Sequence, residues 1–347
     1  MEVLVTGASG FLGRHLVRAL REAGHQPRAL VRSESYSLER SGAKLVQGDV
    51  LDPASLQRAC EGVDAVAHLA GKVEHGRGEP TELYQVHIEG TRNVLRAAAA
   101  AKVSRVLHLS SSGTIAVSTE PKVHDEQAPY ALEAARGWPY YLSKIYAERL
   151  ALEVHARGEV PVVVLNPSLL LGPEDERLTG SQVLLRFLQR ELAALPPGGV
   201  NFLDVRDCAT ACVAALERGR PGERYLLGGP NMTFEAFFVM LSKVSGVRAP
   251  GLTASRRAGG VAARLLGGLE AVGGLEGDES TSYELANHFW YLDASKARRE
   301  LGFAPRNPEA TLRDAVSWLR GRGPLPEPGE ATFGALVRGV QRALGRA

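Results

Sequence analysis

Residues 3–13 read Val3-Leu4-Val5-Thr6-Gly7-Ala8-Ser9-Gly10-Phe11-Leu12-Gly13. A branched apolar run stops at a glycine, and two more glycines follow at three-residue spacing. A strand that ends this way and opens a helix makes a phosphate-binding turn. Gly7 permits the tight turn, Gly10 lets backbone approach a pyrophosphate, and Gly13 lets helix and strand pack closely. An ordinary strand, turn and helix would also tolerate these glycines. The spacing G-x-x-G-x-x-G departs from G-x-G-x-x-G, so the remaining chain has to decide.

Outward from the glycines, FLGRHLVRALREAG sets Leu12, Leu16, Val17 and Leu20 at helical spacing and stops at Gly24. QPRALVR, KLVQGDV, DAVAHLAG, RVLHLSSS and PVVVLNPS follow as strands, most of them separated by helical stretches such as LYQVHIEGTRNVLRAAAAA. This alternation predicts an α/β protein: a Rossmann-type doubly wound parallel sheet with helices on both faces. Ligands of such sheets bind beyond the carboxyl ends of the strands. VNFLDVRDCATACVAALERG is expected to return a strand and a helix to this sheet, and RYLLGG adds another strand. Helices around SQVLLRFLQRELAAL and MTFEAFFVMLSKVSG belong to a smaller, mostly C-terminal α/β substrate lobe. The expected division is residues 1–166 plus about 200–228 for the dinucleotide, and 167–199 plus 229–320 for the substrate. A linker at 321–330 and an amphipathic helix at 331–347 follow, the helix with Phe333, Leu336, Val337, Val340 and Leu344 on one face. That helix suits packing on its own protein or on a dimer mate, so a homodimer is open to this chain; a membrane-surface contact is the lesser alternative.

Composition excludes several classes. The chain has 347 residues, 44% hydrophobic and 23% charged, with a net charge of +2. No strong field draws it to nucleic acid. No apolar run is long enough for a membrane span, and no basic leader precedes Val3. Cys60, Cys208 and Cys212 read as small buried residues rather than metal ligands, in keeping with a cytoplasmic location. His75, His108 and His124 show no metal-ligand pattern, so no metal site is assigned.

The strand ends carry the chemistry. Sites for NAD place Asp or Glu at the end of the second strand, to hold the ribose 2′-hydroxyl. Here that strand ends in Val31-Arg32-Ser33, and a cation with a hydroxyl suits a 2′-phosphate. NADP(H) is therefore the preferred cofactor, with NAD(H) admitted because Glu34 is adjacent; a solvated surface arginine is the plain alternative. Asp49 and Val50 would meet adenine, and Ala70 and Gly71 would leave room for the phosphates and the adjoining ribose. Tyr140 and Lys144 stand four apart in PYYLSKIYAE, on one helix face. An ammonium beside a phenol favours the phenolate, so Lys144 is expected to lower the Tyr140 pKa and fit it for proton transfer. The serines Ser110, Ser111 and Ser112 end a strand about 30 residues earlier, where a hydroxyl could hold a carbonyl oxygen.

VTGASGFLG, HLAG, EGTRNVLRAA, LSSSGT, YYLSK, NPSLLLGP, FLDVRD, ERYLLGG and DASKARRELGF occur in this order. The chain thereby resembles the extended short-chain dehydrogenase/reductases of the NAD-dependent epimerase/dehydratase superfamily, up to about residue 320. The nearest resemblance is to the dihydroflavonol-reductase-like branch, which shades into 3β-hydroxysteroid dehydrogenases and sugar epimerases. The resemblance implies Ser111 as the catalytic serine with Ser112 as second choice, Tyr140 as the general acid, and Lys144 on the nicotinamide ribose. It implies backbone N–H groups of Phe11 and Leu12 on the pyrophosphate, and Pro167 and Ser168 beside the nicotinamide. Many relatives carry asparagine where this chain has His87. A histidine could keep a proton relay in altered form or be structural. Lys72, Ser112, Gly113, Leu169 and Leu170 are candidate pocket residues. The leucines suit an apolar substrate wall, and strand-core packing explains them equally well.

Three readings follow. The first is an NADP(H)-dependent oxidoreductase acting on a carbonyl/alcohol pair of a small, partly apolar molecule. The second is a sugar-nucleotide epimerase or dehydratase with retained NAD. The third is a non-catalytic NADP-binding regulatory protein, against which the Ser111, Tyr140, Lys144 set argues. The pocket segments 72–80, 112–136, 168–182 and 250–290 carry no readable specificity code.

Overall fold

The computed structural model describes residues 1–33, 36–73, 80–192, 194–253 and 279–323. Seven strands form one parallel sheet: β1 (Glu2–Thr6), β2 (Gln26–Val31), β3 (Lys44–Gln47), β4 (Ala65–His68), β5 (Arg105–Leu109), β6 (Val162–Pro167) and β9 (Arg224–Leu227). Their spatial order is β3-β2-β1-β4-β5-β6-β9. The order reverses between β1 and β4, whose registers pair Val3 with Ala65 and Thr6 with His68. A crevice therefore opens beyond Thr6 and His68, which is where such sheets take ligands.

Side chains alternate across each strand, and both faces are covered. Val3 and Val5 pack with Leu107 and Leu165 under α1 (Phe11–Glu22) and α8 (Val205–Arg218). Leu4, Val66, Val106 and Val164 pack on the other face under α3 (Pro53–Cys60), α5 (Gly90–Ala100) and α6 (Pro139–Ala156). The apolar spacing of α1 predicts its buried side: Leu12, Leu16, Val17 and Leu20 are all buried. Each such leucine is worth about 1.5–3 kcal/mol of burial. Cys208 and Cys212 are buried on α8 and Cys60 on α3, all three as free thiols.

The helix read from LYQVHIEGTRNVLRAAAAA runs from α4 (Thr81–Tyr84) to α5, interrupted by one wide π-type turn at Gln85–Glu89. Such turns insert an extra residue and commonly mark functional sites. This one carries His87.

A second, three-stranded sheet holds β7 (Leu169–Leu171), β8 (Gly199–Asp204) and β10 (Asn231–Thr233), in the order β10-β8-β7. This corrects the sequence expectation that residues 200–204 rejoin the main sheet. Only the following helix, α8, does so, packing beside α1. The expected helix at 181–195 is also shorter, α7 (Gln182–Leu188). Phe187, Phe202, Phe237, Phe238, Leu312 and Leu319 make the core of this lobe, with α9 (Phe234–Ser245) and the helix Pro308–Gly321. The expected amphipathic helix 331–347, residues 324–330 of the linker, His75 and Glu34 lie outside the described residues.

Candidate active site

The glycine turn sits at the sheet's reversal point. Gly7 has φ +70°, and a Cβ there would lie 2.8 Å from the Ala70 nitrogen. A Cβ on Gly13 would lie 2.1 Å from the Gly7 carbonyl oxygen, so α1 rests directly on the turn. Gly10 differs: its added Cβ would meet only the Gly7 oxygen, at 3.1 Å. Gly10 precedes α1, no side chain caps that helix, and its first turn holds no acid. The N–H groups of Phe11, Leu12 and Gly13 have no intrahelical acceptor, and the helix dipole is positive here. The residues fit a dinucleotide pyrophosphate on this evidence.

The neighbouring strand ends supply the rest of the crevice. Arg32 and Ser33 are exposed just past β2. The Asp49 backbone N–H donates to Ser55 Oγ (3.1 Å), and its carboxylate accepts from Leu51 N (2.8 Å). Val50 is buried against Gly90, so its side chain serves the core. Lys72 pairs with the exposed Glu82 at 2.6 Å. That bond, with the nearby Arg32 charge, holds the Glu82 carboxyl below its usual range. The Lys72 and Arg32 charges thus share one acidic neighbour, Glu82. Leu169 and Leu170 are half-buried on β7, paired with Phe202 and Leu203, and pack into two cores. Ser168 follows β6; its hydroxyl is buried and has no hydrogen-bond partner among the described residues.

Helix α6 begins with Pro139 at its first position, where proline's fixed φ suits a helix start. Tyr140 falls in the first turn and Lys144 one turn later. The Lys144 ammonium donates to the Leu109 carbonyl (3.1 Å), two residues before Ser111. A Cβ on Gly71 would lie 3.4 Å from the same ammonium and 3.0 Å from His87 Nε2. Lys144 therefore joins the ends of β4 and β5 to the tyrosine helix. Burial pushes Tyr140 up to about 12 and pulls Lys144 down to about 8. The phenol is thus raised, not lowered as the tyrosine-lysine spacing suggested, because burial disfavours the phenolate.

The three serines separate by direction. The Ser110 hydroxyl donates to Glu148 (2.5 Å), and Ser112 is buried. Ser111 opens a short 3₁₀ turn, its Oγ accepting from Gly113 N at 3.3 Å, which leaves its hydroxyl hydrogen to donate outward. Gly113 lies under Tyr141 and Trp290, where a Cβ would come within 2.2 Å of the Tyr141 ring.

His87 is tied in at both nitrogens. Lys72 N donates to its Nε2 (3.0 Å), so Nδ1 carries the hydrogen, which goes to Ser143 Oγ (2.7 Å). Ser143 in turn donates to the Tyr140 carbonyl (2.7 Å). The ring meets Tyr140 edge-on, centroids 5.7 Å apart. Burial, reinforced by the Lys144 charge, pulls His87 down to about 2, so it stays neutral. A second chain was not read from the sequence. Ala70 N donates to Thr6 Oγ1 (3.2 Å), Thr6 to His68 Nδ1 (2.8 Å), His68 Nε2 to Thr91 Oγ1 (3.0 Å), and Thr91 to the His87 carbonyl (2.5 Å). It links the glycine-turn strands to the π turn. Glu148 and Asn166 were missed as well, though Glu148 shares the face of Tyr140 and Lys144 by spacing alone.

The strand order, the turn at its reversal point and the tyrosine-lysine helix together define a Rossmann-type enzyme of the extended short-chain class. The chain belongs to the NAD dependent epimerase/dehydratase family, whose model matches residues 3–228. It is 34% identical over 334 residues to a Synechocystis sp. protein provisionally named dihydroflavonol 4-reductase, covering 92% of this chain and 94% of that one. Among solved structures it is similar to gox2253, at 32% identity and TM-score 0.82, over 92% of this chain and 98% of the other. It is also similar to a nucleoside-diphosphate-sugar epimerase from Pseudomonas aeruginosa, at 28% identity and TM-score 0.77, over 93% and 98%. Among the described residues, no helix is long and apolar enough to cross a membrane.

Proposed function

We propose that the chain is an NADP(H)-dependent reductase of a ketone or aldehyde on a small, partly apolar molecule, or the reverse dehydrogenase. The observation that carries this reading is the position of Lys144, bonded to the Leu109 carbonyl and close to Gly71, on the helix that presents Tyr140. It sets proton donor, cation and the Ser111 turn around one crevice. The glycine turn with Phe11 and Leu12 would hold the pyrophosphate, Arg32 and Ser33 a 2′-phosphate, and Asp49 the adenosine end. Pro167 and Ser168 would border the nicotinamide. When bound, the nicotinamide supplies a hydride to the carbonyl carbon.

The chain's own groups do the remainder. Ser111 donates to the carbonyl oxygen and fixes its direction. Tyr140 gives its phenolic proton to that oxygen as charge develops, yielding the alcohol. A buried Lys144 ammonium stabilises the phenolate left behind. His87, neutral and bonded through Ser143, holds the first turn of α6 in place.

The test is purified protein with NADPH or NADH and a panel of ketones and aldehydes. Turnover should favour NADPH, and Tyr140→Phe should cut kcat at least about 100-fold with little change in NADPH affinity. Full turnover in Tyr140→Phe contradicts the mechanism. The likeness to the sugar-nucleotide epimerase supports a second reading, with the same three residues acting on a nucleotide sugar. That reading predicts cofactor retained through purification and no net NADPH consumption.

A further inference from the structure

The chemistry above leaves unused a buried acid on the tyrosine helix itself. Glu148 stands on α6, four residues after Lys144 and eight after Tyr140, and its side chain is fully buried. Its Oε2 accepts from the Ser110 hydroxyl (2.5 Å) and Asn166 Nδ2 (2.7 Å), with Thr114 Oγ1 at 3.1 Å. Its Oε1 accepts from the Tyr130 hydroxyl (3.3 Å) and lies 3.4 Å from Arg224 Nε. These partners come from the end of β5, the turn after it, the following loop, β6 and β9.

A fully buried carboxylate needs such a ring of donors. An apolar side chain of similar size would hold helix and sheet together without that demand. What the charge adds is aim. One of its partners, Asn166, also donates to the Ser111 carbonyl oxygen at 3.2 Å, and the single Thr114 hydroxyl hydrogen is shared between that carbonyl (2.8 Å) and Glu148. A third, Ser110, precedes Ser111 in the chain. On the same helix face Lys144 holds the Leu109 carbonyl (3.1 Å). The Ser111 turn is thereby fastened to the tyrosine helix from both sides.

We propose that Glu148 is a positioning residue of this site: through Ser110, Thr114 and Asn166 it holds Ser111 in register with Tyr140 and Lys144. The inference rests on the reading that those three residues act on the substrate carbonyl. Glu148 is also the carboxylate whose field favours the Lys144 ammonium, opposing the burial that lowers it. The other titratable groups facing Lys144 are His68 on β4, His87 on the π turn and His108 on β5, all held neutral by burial. Arg224 on β9 faces Glu148 itself.

Glu148→Gln keeps the shape and removes the charge. NADPH affinity should stay within about threefold, while kcat falls about 30-fold or more, because small misplacements of reacting groups cost this much. The alkaline limb of kcat should move to lower pH, since a lysine without its counter-charge loses its proton sooner. A purely structural role would lower Tm and leave kcat of the folded protein and the alkaline limb unmoved, and that result overturns the proposal. Tyr140→Phe runs in parallel. If it keeps full turnover, the reading of the site fails; if it is inactive while Glu148→Gln matches wild type, only the Glu148 inference fails. Should Glu148→Gln not fold, Ser110→Ala and Thr114→Val carry the test. Each should lower kcat at unchanged NADPH affinity, and wild-type kcat in both overturns the proposal. A readout without turnover is the pH dependence of Lys144 acetylation by acetic anhydride, followed by peptide mass spectrometry. Its midpoint should fall in Glu148→Gln, or in Thr114→Val stay at the wild-type value; no movement in Glu148→Gln counts against the counter-charge.

Discussion

Gly10 and Gly13 sit three residues apart and answer to different constraints. Gly13 has no room for a methyl group, since backbone lies 2.1 Å from where its Cβ would be. Gly13→Ala should therefore destabilise the fold by about 1–3 kcal/mol, the usual cost of overpacking, measurable by denaturant unfolding. Gly10 has φ −76° and a single backbone neighbour at 3.1 Å, so a valine there is compatible with folding. Gly10→Val should unfold near the wild-type temperature and lose NADPH affinity by 100-fold or more, as read by calorimetric titration. Unchanged affinity would make the opening motif an ordinary turn. Tyr140 and Lys144 were legible because four-residue spacing is a rule of helix geometry. Glu148 was legible in principle by the same rule. In one dimension, though, an acid followed by Arg149 looks like solvated helix surface, and only the fold shows it buried. For His87 the sequence admits both a relay and a structural role. Its tautomer follows from Lys72 N donating to Nε2, a contact between segments that no spacing encodes.

At the scale of elements, three neutral histidines meet between β4, β5 and the π turn. His68 and His108 are paired across neighbouring strands, rings 5.6 Å apart. Burial, with the Lys144 charge second, pulls His68 down to about 3, and burial likewise holds His87 at about 2. In the unfolded chain each titrates near 6.5. Between those values the unfolded state binds more protons, so stability is full above about pH 6.5 and falls as pH drops below it, each histidine costing at most about 1.4 kcal/mol per unit. Tm should decline steeply from pH 6.5 to pH 4.5, and His68→Gln should flatten that decline; an equal slope in both proteins would contradict this assignment. Strand runs were readable as strands, but their partners were not. GVNFLD is buried on every residue, as a strand of either sheet would be. Its antiparallel partner Asn231–Thr233 decides the matter, and three residues are too short to announce a strand. The π turn had no signal either, because one extra residue leaves helical periodicity nearly intact.

At the scale of the molecule, the parallel sheet brings every strand end that matters to its one carboxyl edge, flanking β1 and β4, and alternation in the sequence foretold such a sheet. The α8 helix is tied to the second lobe by Arg206, which pairs with Asp314 on the helix Pro308–Gly321 (2.7 Å). We propose the division into a dinucleotide part and a substrate part along this boundary, with β8 assigned to the substrate part. Of the pocket segment 250–290, residues 254–278 lie outside the described residues. We propose that this crevice moves hydrogen from NADPH to a carbonyl carbon with Tyr140 supplying the proton. It is tested most directly with NADPH deuterated on either face of C4 and a ketone from the panel. Alcohol one mass unit heavier is expected from one of the two labelled forms, with NADP⁺ formed in equal amount, and Tyr140→Phe should form both at least about 100-fold more slowly. Absence of label in any product, with bound cofactor retained and a nucleotide sugar epimerised, would contradict it.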